Sequence, residues 1–303
     1  MKILSIGLSG PIDEVRLRLQ NDLSTLSWEG FQIAVDEYSK GHLTFFACHV
    51  TEGELSFRNY ERIKAMLRNY IAKMVADLIV YKCEHHIVRK IVHNTYYYFT
   101  EEERNIVYEN ALNILNAEEL PMGSGRPSGR RNHILLKISD YLEDHYEIVI
   151  DGFINFRLKE YRLELLDAVD KAVDDFMMDR EYKEFIRLLR YFVDVQEPRI
   201  EEVHVIVQAN GLFRILDSSG KTINNQYLEG FVVENAEIDL NYGDLLISAL
   251  ITVAPQSVTL HGPNIKQASE VIETIHSVFD GRVCICDGCE LCNADTKTST
   301  IKQ

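Results

Sequence analysis

Four cysteines, Cys284, Cys286, Cys289 and Cys292, fall within nine residues near the C-terminal end of the chain, in the string CICDGCELC. Thiolates are soft donors that favour zinc and iron–sulfur clusters, and such close spacing lets one turn present several sulfurs to one centre. Gly288 inside the turn gives the backbone the freedom that converging sulfurs require. Zinc is the first metal this set would take. An iron–sulfur cluster is the alternative, because Cys286 to Cys292 reproduces the C-x2-C-x2-C part of the bacterial ferredoxin run, although Thr296 stands where its closing cysteine would be. Four ligands to one ion from nine residues is geometrically tight. A donor from elsewhere in the chain, or from a second copy, would relieve it. A redox dithiol, or free thiols without a metal, are the competing readings.

Other residues offer weaker chemical signals. His261 ends the strand expected before the cysteines, so it should share their sheet edge as a ligand or as support for one; a polar residue closing a strand is the alternative. Cys83, His86 and His93 fall at helical spacing on one face, and Glu273 with His276 forms a single E-x-x-H where di-iron bundles need two. Ordinary half-buried or surface roles are expected for all of these. Ser219-Gly220-Lys221-Thr222 resembles the end of a phosphate loop, but Ile215 replaces its first glycine. Gly123, Gly125 and Gly129 miss the dinucleotide fingerprint in spacing. Neither H-E-x-x-H nor G-x-S-x-G occurs, and no paired acid and base mark a catalytic site.

Composition bounds the function. The 303 residues are 46% hydrophobic and carry 32 Lys and Arg against 47 Asp and Glu, a net charge of −15, which fits a globular chain and disfavours general nucleic-acid binding. Residues 201–303 hold 14 acids and 6 bases, surroundings that suit a cation at the cysteines. The local exception is the stretch 120–139, with Arg126, Arg130, Arg131 and Lys137 and no acid, which reads as a solvated basic linker. The longest nearly apolar run, 245–254, is far short of the ~20 residues a membrane-spanning helix needs. The N-terminus has no export-signal pattern, so the chain reads as cytoplasmic.

The expected fold is α+β. A small N-terminal βαββ unit over 1–53 consists of MKILSIGL, a helix from Ile12 to Leu26, and the strands FQIAVDEY and HLTFFACHV. A helical domain follows over 54–198: one helix from Ser56 to His93, one capped by Thr100 with Glu103 in capping-box form, a flexible linker near 117–132, and helices from Asn132 to Val195. The aromatic run Tyr96 to Phe99 is read as helix-junction packing, and the acids Asp167, Asp170, Asp174 and Asp175 as a solvent face. The last part, 199–303, is an α/β domain: a hairpin of VHVIVQ and LFRIL, a helix from Tyr242, then a βαβ unit from Ser257 that ends in the Cys-rich turn and a frayed tail.

The string EFIRLLRYFVDVQEPRIEEVHVIV, with LLISALITVAPQSVTLH and the C-terminal cysteines, resembles the YtxC-like family, described as sporulation proteins of endospore-forming bacteria. The resemblance implies a setting in sporulation. It implies no activity and carries over no catalytic residue. Three functions follow. The leading one is a non-enzymatic, cytoplasmic, sporulation-associated binding or scaffold protein, with a structural metal at the cysteines and a protein partner on its helical region. The second is a metal-dependent or redox enzyme or sensor that uses the same cysteines. The third is an RNA- or phosphate-binding module built on the basic linker.

Overall fold

Strands with alternating apolar residues and helices with apolar steps of three and four form the mixed α and β architecture the sequence predicts. The computed structural model describes residues 2–10, 12–25, 32–52, 57–117, 127–207, 213–223, 242–262 and 269–293. Contacts gather the chain into two compact units, Met1–Met177 and Met178–Gln303.

The first unit opens with β1 (Lys2–Leu8), α1 (Ile12–Thr25), β2 (Gln32–Lys40) and β3 (Leu43–Glu52). These form an antiparallel set to which a short strand, β4 (Glu147–Val149), adds in parallel beside β1, giving the order β2-β3-β1-β4. Three residues carry no readable alternation, so the sequence placed a helix across β4. The expected boundary at 53/54 has no counterpart in the contacts. Ile3, Leu4, Ile6 and Leu8 share one buried core with Leu67, Ile71, Ile138 and Leu165 from the helices, because a four-stranded sheet cannot bury its apolar face alone.

The expected single helix over 56–93 is interrupted. It consists of α2 (Phe57–Leu78), a π turn (Ile79–Cys83) and α3 (Glu84–Thr95). Buried positions run Ile71, Val75, Ile79, Glu84, Val88, Val92, steps of four with a single step of five. The long step is the π turn, where the Glu84 N–H donates to the Ile79 carbonyl. Its consequence is to turn the carboxylate of Glu84 inward, 4% exposed.

The partner of Glu84 corrects the reading of a basic linker. After α4 (Glu101–Asn116), α5 spans Pro127–Asp144 and begins with proline at its first position, several residues earlier than expected. Arg130 on α5 is 1% exposed and grips Glu84 with two N–H donors at 2.8 and 3.0 Å; it also donates to the Leu115 carbonyl. Tyr161 O–H donates to the same carboxylate at 2.7 Å. Arg131 pairs with Asp77, and Lys137 with Glu160. A buried charge has to be paired, and helix periodicity alone does not reveal which arginine will do it. Arg126 lies outside the described residues, as do Gly123 and Gly125.

The capping box at Thr100 and Glu103 forms in both directions. Tyr96 donates to Asp170 and Phe99 is buried against Phe176, whereas Tyr97 and Tyr98 are exposed. Asp167, Asp170, Asp174 and Asp175 lie on the exposed side of the helix. The unit closes with α6 (Ile150–Arg157) and the start of α7 (Lys159–Val195), within which the division at 177/178 falls.

The second unit is a separate sheet, β6-β5-β7-β8, so the N- and C-terminal strands are not joined. Antiparallel β5 (Ile200–Val207) and β6 (Phe213–Asp217) form the expected hairpin, whose turn residues lie outside the described residues. β5, β7 (Pro255–His261) and β8 (Val283–Ile285) run parallel, linked through α8 (Tyr242–Val253) and α9 (Ser269–Val278). Alternation decides the two faces. Val203, Val205, Val207, Val258 and Leu260 pack with α8, α9 and Val193 of α7 in one core, which leaves Glu202, His204, Thr259, His261 and Cys284 for the other face. After β6, the Asp217 carboxylate takes the N–H groups of Ser219 and Lys221 and the Ser219 hydroxyl, so the Ser-Gly-Lys-Thr string is a self-bonded turn. Among the described residues, no helix is long and apolar enough to cross a membrane.

Candidate metal centre

The chain leaves β7 at His261 and β8 at Cys286, side by side at the carboxyl edge of the sheet. The ladder runs to its last rung, where Cys286 N–H donates to the Leu260 carbonyl at 2.9 Å. Gly262 has φ +128°, and a Cβ there would stand 2.6 Å from the Val207 carbonyl oxygen; only glycine lets the chain exit so close to β5. Beyond Cys286, Gly288 turns the backbone with φ +127° and offers its N–H to the Cys286 sulfur at 3.5 Å. A short helical turn, α10 (Glu290–Asn293), then places Cys289 and Cys292 together, the Cys292 N–H on the Cys289 carbonyl.

These elements bring His261, Cys286, Cys289 and Cys292 into one group whose donor atoms all lie within 4.8 Å of one another. The His261 Nδ1 is 3.3 Å from the Cys289 sulfur and 3.6 Å from that of Cys292, and the two sulfurs are 3.9 Å apart. A tetrahedral zinc with Zn–S about 2.3 Å and Zn–N about 2.0 Å sets neighbouring donors about 3.5–3.8 Å apart. The three edges among His261, Cys289 and Cys292 lie within about 0.2 Å of that range. A Cys3His donor set is also one of the sets that structural zinc sites use.

Cys284, counted with the other three in the sequence, stands outside this group. It is exposed and pairs with Thr259 in the middle of the ladder. Same-face positions on a strand are about 6–7 Å apart, and Cys284 lies within β8 while Cys286 follows its end. The fourth member of the group is His261, 3% exposed.

Sequence reading missed what holds His261. Its Nε2 lies 3.0 Å from Nδ1 of His204 on β5; the same Nδ1 is 3.8 Å from Glu202, whose carboxylate accepts from Thr259 O–H at 2.8 Å. With Nδ1 facing the sulfurs, the contact between His261 Nε2 and His204 Nδ1 is of the kind that fixes the ring of a metal-ligating histidine. The available signal was the period of two in β5, which sets Glu202 and His204 on the face opposite the valines. Burial, reinforced by His204, lowers the pKa of His261 and favours the neutral imidazole that a metal requires. The Cys292 N–H and the surrounding hydrogen bonds draw the Cys289 thiol below its ordinary value.

The other cysteine and histidine candidates do not converge. Burial pushes the thiol of Cys48 up to about 12 and that of Cys83 up to about 11, the latter helped by Asp151 and Glu14. Cys83 and His86 line one groove, but His93 is not part of it. Glu273 and His276 are exposed on α9.

A family model described as the YtxC-like family matches residues 69–284. The match therefore includes β7 with His261 and stops before Cys286, short of the turn that the sequence resemblance had included. A Bacillus subtilis (strain 168) protein described as "Uncharacterized protein YtxC" is 27% identical over 195 residues, 64% of this chain and 68% of the relative. No solved structure gives a significant match. With its model covering well over half of the residues, the chain belongs to the YtxC-like family.

Proposed function

We propose that His261, Cys286, Cys289 and Cys292 hold a structural zinc ion, and that the protein is a non-enzymatic binding or scaffold protein of sporulating cells, working in the cytoplasm. The observation that carries the metal reading is the convergence of four donor atoms within 4.8 Å from two separate segments. A closed set of four protein ligands leaves no position for substrate, and catalytic zinc keeps one open. The ion would clamp the turn after β8 to the end of β7, a short strand edge with little apolar burial of its own. A protein partner finds support in the second half of α7, where Met178, Tyr182, Phe185, Leu188, Tyr191 and Phe192 are all more than half exposed. The sporulation setting rests on the family resemblance.

The test is anaerobic purification of the full chain, with metal analysis and a visible spectrum. One colourless zinc per chain, lost in Cys289→Ser and in His261→Ala, is the expected result. A brown iron–sulfur chromophore would overturn zinc in favour of a redox centre. A chain that binds no metal, with Cys→Ser variants of unchanged stability, would remove the site. The reading as an RNA- or phosphate-binding linker loses its support because Arg130, Arg131 and Lys137 are each committed to an acid.

A further inference from the structure

We propose that a groove in the first unit, independent of the cysteine turn, binds a small molecule carrying a phosphate group on a partly apolar body. The groove encloses a volume of about 750 Å³, within the ~300–1,000 Å³ typical of small-molecule sites. It lies where the parallel strands β1 and β4 end: Leu8, Ser9 and Gly10 leave β1, and Ile150 and Asp151 follow β4. Ligands of α/β sheets bind outside the carboxyl ends of parallel strands, where the departing chains leave a crevice. The facing wall is the π turn with α3. Irregular turns of this kind are frequent at functional sites, because they break the helix register to aim side chains.

Charge selects the ligand class. Lys82, His86 and Lys90 on that wall and Arg162 on α7 all line the groove, in a chain whose net charge is −15. The one carboxylate on the lining, Asp151, is held by the N–H and hydroxyl of Ser9 at 2.9 and 2.8 Å. Lys82 has Glu14 at 3.5 Å, whereas Lys90 and Arg162 make no ion pair among the described residues. Unlike Arg130 and Arg131, these cations are left for a guest. An arginine and a lysine from separate helices suit a phosphate, the first by its planar fork and the second as a point charge. Leu8, Ile87, Ile91 and Ile154 supply an apolar surface beneath them. The neutral thiol of Cys83 adds neither a nucleophile nor a competing charge.

Calorimetric titration of the full chain with pyrophosphate and with ADP tests this. Both probes are expected to bind, ADP the more tightly through the apolar surface. Arg162→Ala and Lys90→Ala should each weaken ADP binding about tenfold or more, the loss of a charge-assisted hydrogen bond. Both side chains are exposed, so unfolding midpoints should stay at the parent value. Lys171→Ala removes the same charge from an exposed pair with Asp167 and should leave binding unchanged. Absence of binding by both probes at millimolar concentration would overturn the proposal. So would an equal loss in Lys171→Ala, which would mean unspecific attraction.

Discussion

The candidate metal centre and the proposed phosphate groove occupy equivalent places, each at the carboxyl ends of paired parallel strands, but are assembled differently. Three donors of the metal centre come from the seven residues Cys286 to Cys292, and the fourth from the neighbouring strand. The groove draws on residues near 8, 86, 151 and 162, none of which forms a motif. The surroundings differ too. The first unit has a large core and buries a complete ion pair, Arg130 with Glu84, supported by Tyr161. The second has a smaller core, and its polar groups lie on the sheet face turned away from that core. A unit rich in apolar contacts can carry a costly buried charge pair, whereas a thin sheet edge gains more from a bound ion.

The largest effect that sharpens this contrast is expected from Arg130→Ala. It leaves the Glu84 carboxylate buried without its cation, with the Tyr161 hydroxyl still on it, and should cost about 3–5 kcal/mol in denaturant unfolding. Glu84→Gln combined with Arg130→Met removes both charges and should cost less than the single change. A double variant as damaging as Arg130→Ala would mean that packing, not charge, is at stake. Next comes metal removal. A ligand at a thousandfold its Kd stabilises by about 4 kcal/mol, so chelation should loosen the second unit by about that amount, read by hydrogen exchange at β7 and β8. Exchange in β1 and β3 should not change; if it does, the units are not energetically separate.

Smaller effects follow. Thr100→Ala removes one half of the capping box and should destabilise the first unit by about 1 kcal/mol, with no change in metal content. Cys284→Ser should lie within ~0.5 kcal/mol of the parent and keep full metal stoichiometry, as fits an exposed residue outside the ligand group. Thiol labelling gives an independent count. In metal-free protein the four C-terminal cysteines should react quickly while Cys48 and Cys83 resist, and zinc should then leave Cys284 as the fast thiol of the four. Protection of Cys284 by zinc would return it to the ligand set.

Much of the architecture was legible because periods of two and of 3.6 are written directly in the residues. Val203, Val205 and Val207 announce a strand, and Leu165, Val169 and Val173 a helix. The cysteine turn was legible for a similar reason, since its chemistry is concentrated in one window. His261 could be placed near it because parallel strands end at a common edge. The β4 strand was not legible, being too short for any period. The π turn was hidden as well, because a single five-residue step leaves composition unchanged while rotating every later side chain.

The sequence by itself therefore determined most of the elements, the family resemblance and the presence of soft donors suited to a metal. Tertiary structure decided which cysteine stands outside the donor group, that His204 lies against the histidine of that group, and that residues 127–139 of the apparent basic linker belong to a helix with a buried arginine. It also decided which cations remain open to a ligand. The reason is physical: a donor's reach is set by strand rise and register across the sheet, and a charge is retained or spent according to what faces it from distant segments.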